Sequence, residues 1–152
     1  MVSDILGVAV IMSAGILAGV FVAVAASVFP VLMRMPVASY IEIHRSLGRG
    51  YHPMMPLIVN GGILGALILA VIAPTAAARA LFAVGALLLG GTVLVSQFRN
   101  VPINRVLAAA DVAAPPPDWE ALRRRWRGWH ALRTAIALAA LTDNAMALAL
   151  LH

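Results

Sequence analysis

Along the chain, long apolar runs alternate with two polar stretches. The runs cover residues 5–29, 53–73, 79–98 and 129–151. Each is close to the ~20 residues that carry an α-helix across the hydrocarbon of a bilayer. Pro30 follows the first run and Pro74 the second. The first run exceeds the apolar core of a secretion signal and no basic residue precedes it, so it reads as a retained helix. Residues 31–52 are too polar to cross. Within them Pro36 starts a short interfacial helix through Leu47, with Gly48 and Gly50 as its stop. Residues 99–128 contain Pro115, Pro116 and Pro117, which forbid continuous helix. Asp118 is then the N-cap of a helix beginning at Trp119. The pattern predicts one all-α domain over 1–152. It is a membrane four-helix bundle with short interfacial helices in loops one and three.

Composition narrows the function classes. The chain is 62% hydrophobic and 11% charged, with a mean hydropathy of +0.96. A soluble domain of this size cannot bury that much apolar surface. There is no cysteine, so disulfides, thiolate metal sites and cysteine nucleophiles are excluded. All 11 basic residues are arginine, which also excludes a lysine base or Schiff base. A net charge of +5 in so apolar a chain reads as a topology signal rather than nucleic-acid binding.

Ten of the 11 arginines fall in loops one and three or their flanks; Arg79 alone is in the second loop. The positive-inside rule makes both large loops cytoplasmic and both termini external, in a bacterial cytoplasmic membrane. Expected partners are the lipid bilayer and a hydrophobic small molecule, with no nucleic acid. Gly15–Gly19 and Gly61–Gly65 are GxxxG pairs that suit close helix packing or a homo-oligomer contact.

Candidate chemistry gathers at the basic end. From Asp118 onward, Trp119, Arg123, Trp126, His130 and Arg133 recur at steps of four and three, which puts them on one helical face. Ala137, Leu141 and Asn144 continue that face. The tryptophans alone would fit an interfacial belt. His130 and Arg133 lie inside the span, where ionisable groups face the bundle interior. A second element runs from Gln97 to Asn104. There Pro102 is expected to break the third helix and push Val101 toward extended geometry. Asn100 is placed to cap the next turn, and Asn104 supplies an oriented amide that can hold a substrate oxygen. The third element is Glu42, His44 and His52 in loop one. Together with His130 they would give a ligand set for iron, copper or zinc, although on a helix Glu42 and His44 point to different faces. His152 belongs to the opposite side.

Asn100-Val101-Pro102-Ile103-Asn104, followed after a loop by Trp119, Trp126, His130 and Arg133 entering the last helix, resembles the anthrone oxygenase-like family of small four-helix membrane proteins. That resemblance implies oxidation of a reduced polycyclic phenol to a quinone by O₂ with no organic cofactor. Two mechanisms remain open. In one, His130 is the general base, Arg133, Asn100 and Asn104 stabilise the enolate oxygen, and Trp126 and Gln97 bind the flat substrate. In the other, Glu42, His44, His52 and His130 hold iron or copper, with zinc a further choice. A non-enzymatic accessory protein with GxxxG contacts is the competing class. A transporter ranks lowest, because the middle of the spans offers only Asn60, Thr92 and Asn144.

Overall fold

The computed structural model describes residues 1–151, with residues 48 and 49 described by their backbone alone. His152, and the side chain of Arg49 used in the topology count, lie outside the described residues. Among those residues the structure is helical, with no strand. The helices are α1 (Val2–Ala23), α2 (Phe29–Leu32), α3 (Val37–Gly50), α4 (Met54–Ile72), α5 (Ala76–Val95), α6 (Val101–Ala109) and α7 (Trp119–Ala149).

Four of them close a ring. α1 packs on α4 and α7, and α5 packs on the same two. α3 pairs with α6 at the end of the ring that also holds the first turns of α7. Among the described residues three continuous helical stretches are long and apolar enough to cross a membrane: Val2–Leu32, Met54–Ile72 and Ala76–Ala109. α7 is longer than α4, but its first half carries Glu120 and five arginines.

The prolines do not act as expected. Pro30 and Pro102 sit inside continuous helix, each just after a π-helical turn. In the turn Val24–Val28, Phe29 N–H reaches back five residues to Val24 O. In the turn Ser96–Asn100, Val101 N–H reaches Ser96 O. Proline has no N–H, and its ring collides with the carbonyl four residues back. A widened turn ahead of the ring accommodates that demand without ending the helix. Val101 is accordingly helical at φ −60° and ψ −42°, not extended. Asn100 is helical too, and its side chain makes no capping bond.

Other boundaries follow local chemistry. Thr75 caps α5 by accepting from Ala78 N–H at 3.1 Å. α7 starts at Trp119 as the pattern predicts, but the Asp118 side chain makes no capping bond. α3 starts after Pro36 and runs through Gly48 to Gly50. The glycine pairs resolve unevenly. At Gly65 an added Cβ would lie 2.8 Å from Val10, and at Gly62 2.3 Å from Ser13 Oγ, so α1 and α4 meet there. Gly19 and Gly61 face open space, and at Gly15 the nearest atom, of Leu141, is an ordinary 3.9 Å away.

Candidate active site

At the α3–α6 end the ring encloses a cavity of about 350 Å³. This lies at the lower edge of the ~300–1,000 Å³ usual for small-molecule sites. Its apolar wall comes from α1, with Leu17, Phe21 and Val24, and from α4, with Met55 and Val59. The polar wall comes from His44, His52, Gln97, Asn104, Trp126, His130 and Arg133. Asn60, Tyr51, His52 and Gln97 are exposed, so the mouth opens on the α4–α5 side.

The α7 stripe carries one half of the site. Leu122, Trp126, His130, Thr134 and Ala137 are buried on a single face, as the four-and-three spacing requires. Trp126 lies parallel to His130 with ring centroids 5.1 Å apart, and parallel to Phe29 at 5.5 Å. The Trp126 ring is thus packed against protein rings and only 8% of the residue is exposed.

His130 and Arg133 form one unit held between the two π-helical turns. Arg133 Nε and Nη2 lie 3.1 and 2.9 Å from His130 Nδ1. Guanidinium can only donate, so Nδ1 is the accepting nitrogen and the proton of the neutral ring sits on Nε2. Nε2 donates to Phe21 O at 3.0 Å, one turn before the first π turn. Arg133 Nη1 donates to Ser96 Oγ at 3.1 Å, in the second π turn. Its guanidinium also lies 4.4 Å from the Phe21 ring centroid. Ser96 and the Phe21 carbonyl were not legible as site groups. Ser96 directly precedes the Gln97–Asn104 segment, which is the one hint the sequence offers.

The Asn100–Asn104 pair is a clamp on Trp126. Because the helix continues through Pro102, the two amides stand four residues apart on one face. Asn100 Nδ2 donates to the Trp126 carbonyl at 3.3 Å, and Trp126 Nε1 donates to Asn104 Oδ1 at 2.7 Å. Asn100 is buried and does not line the cavity. Its expected contact with substrate oxygen is replaced by this bracing role. Asn104 does line the cavity, and its Oδ1 also meets His44 Nε2 at 3.0 Å.

Loop one divides. His44 is buried in the polar wall, edge-on to Trp126 with centroids 5.1 Å apart. Burial holds its imidazole below the ordinary value. The Asn104 bond opposes this, and the Arg133 charge adds to it. Glu42, two residues earlier on α3, is exposed and away from the cavity. A two-residue step turns ~200° around a helix, which separates the pair. Glu42, His44, His52 and His130 therefore do not form the expected ligand set. Among the described residues no three histidine or carboxylate side chains are grouped as a metal site. The ring nitrogens His44 Nε2, His130 Nδ1 and His130 Nε2 are engaged by protein groups. Glu42 and His130 are therefore unavailable as ligands in this arrangement, which leaves His44 Nδ1 and the exposed His52 ring short of a ligand set.

Two of the loop arginines secure this end. Arg123 Nη1 donates to Leu32 O and Met35 O, both at 3.3 Å, and its guanidinium lies 4.5 Å from the Trp119 ring centroid. Arg45 donates to Leu107 O and Ala110 O at the end of α6. Both bind carbonyls at or just past helix ends, where the intrahelical ladder stops. Tyr40 is fully buried beside Arg123; burial pushes its phenol up to about 12, against the pull of that charge.

A helical protein with membrane-spanning character, enclosing an apolar cavity with one polar wall, is the class these features define. A protein-family model described as anthrone oxygenase matches residues 44–142, and the chain belongs to that family. The match begins at His44 and takes in both asparagines of the clamp, Trp126, His130 and Arg133. No curated protein and no solved structure matches the chain.

Proposed function

We propose that the cavity is the active site of a membrane-embedded oxygenase that converts a flat, reduced polycyclic phenol of the anthrone type to its quinone. In this reading the ring of four helices is a four-span membrane bundle. α3, α6 and the first turns of α7 lie at the interface, on the cytoplasmic side by the arginine bias. The mouth between α4 and α5 then faces the bilayer, where such a substrate dissolves.

The observation that carries the reading is one apolar cavity whose polar wall gathers imidazole, amide and guanidinium groups contributed by α3, α6 and α7. The overall reaction balances without a further reductant: a CH₂ and O₂ become C=O and H₂O. A base removes a C–H proton, and the enolate gives an electron to O₂. The two radicals join through a C–O bond to a hydroperoxide, which loses water. Arg133 carries a full positive charge on the cavity wall. It stabilises the enolate oxygen, an effect that dominates in a dry site. Asn104 and Trp126 orient the polar wall.

The test is O₂ uptake and quinone formation with anthrone by the purified protein in detergent. The expected result is turnover well above uncatalysed autoxidation, lost in Arg133→Met. Rates equal to autoxidation in the wild type would overturn the reading.

A further inference from the structure

We propose that His44, rather than His130, takes the substrate proton, and that Asn104 and Trp126 are positioning residues that lock it in the reactive tautomer. The proposal rests on the oxygenase reading above and adds the identity of its base.

The lock follows from which atoms can only donate or only accept. Indole N–H only donates, so the atom of Asn104 that lies 2.7 Å from Trp126 Nε1 is the oxygen. An amide oxygen only accepts, so His44 Nε2, 3.0 Å from the same oxygen, carries the proton. The neutral His44 ring therefore keeps its lone pair on Nδ1. Among the described residues no group bonds Nδ1, and His44 lies on the cavity wall. His130 is arranged in the opposite way. Its lone pair is on Nδ1 too, but that atom already accepts from Arg133, while Nε2 is spent on the Phe21 carbonyl. One imidazole is free to take a proton and the other is built into the wall.

Proton traffic closes on His44. Nδ1 takes the first C–H proton and returns it to the peroxide oxygen after the C–O bond forms. It then takes the second C–H proton as the O–O bond breaks, and hands it to the departing hydroxide as water. In the charged state the Nε2–H to Asn104 becomes a charge-assisted bond, which strengthens it when it is needed. The charged and titratable groups around His44 are Arg133 across the cavity, Tyr40 one turn earlier on α3, and His52 and His130 in the wall.

His44→Gln isolates the chemistry, because the glutamine amide can still donate to Asn104 but offers no base. With anthrone and O₂, kcat is expected to fall about 10²-fold or more, the usual worth of a positioned base, with KM little changed. The acid limb of kcat/KM, expected below histidine's ordinary 6.5 in the wild type, disappears in the variant. In His44→Ala, added imidazole restores part of the rate. Nitrogen NMR of labelled protein provides a readout free of turnover: His44 shows a protonated Nε2 and a bare Nδ1, and Trp126→Phe mixes the tautomers. An active wild type with His44→Gln within threefold of it would overturn the assignment alone, as would a protonated Nδ1 on His44. A wild type no faster than autoxidation sinks the oxygenase reading and this base with it.

Discussion

The two ends of the helical ring solve opposite problems. At the end formed by the first turns of α1 and the last turns of α7, Val10, Leu69, Phe82, Ala86 and Ala147 pack into a closed cluster. Gly85 lets α5 approach so closely that an added Cβ would lie 2.4 Å from the Asn144 amide. Polar groups there bond mainly along α7 or across its contact with α5: Asn144 donates to Ala140 O and Thr142 to Leu138 O, while Thr75 Oγ1 donates to Leu150 O and the Asp143 carboxyl meets the Gly85 backbone. At the other end, polar groups bond between helices and surround a cavity. Asn104 joins α3, α6 and α7, and Arg133 joins α7 to the second π turn. Small residues close one end by dispersion, which is the force left to helices in lipid. Prolines with π-helical turns open the other, where both α1 and α5 change the register of their backbone ladder.

That division can be broken in order of expected effect. Phe82→Ala at the closed end leaves a hole in a side chain that is fully buried. The loss is about 3–5 kcal/mol in soluble cores and nearer the lower figure where lipid replaces water as the alternative surrounding. It is read by thermal unfolding in detergent, while turnover per folded molecule stays unchanged. Arg133→Met at the open end should do the reverse. Turnover falls about 10²–10³-fold, as for the loss of one oxyanion donor, with a smaller change in unfolding temperature. Trp126→Phe keeps the ring stack and removes the Nε1–H. It is expected to cost about 0.5–1.5 kcal/mol, the net worth of one hydrogen bond, because Asn104 Oδ1 keeps its His44 donor, and to reduce turnover through His44. Glu42→Gln, exposed and off the cavity, should change stability by no more than about 0.5 kcal/mol. Its turnover should stay at wild-type level. A Glu42→Gln variant without activity would restore a role for that carboxylate and undo the separation between the two faces of α3.

The sequence by itself determined the helical elements. Apolar runs of spanning length, Pro36 ahead of α3 and the triple proline ahead of α7 are local signals, and local signals survive folding. It also determined the α7 stripe, because a 3.6-residue period holds in any helix, and it singled out the Asn100–Asn104 and Trp126–His130–Arg133 groups. Tertiary structure decided the rest. Whether a proline ends a helix depends on whether the preceding turn can widen within its packing, and here both turns do. Whether Asn100 caps, contacts substrate or braces Trp126 depends on which helix lies opposite. The separation of Glu42 from His44 was implicit in the helical period. The tautomers of His44 and His130 were not, because a ring's free nitrogen is set by donor-only and acceptor-only partners 60 and three residues away in the chain.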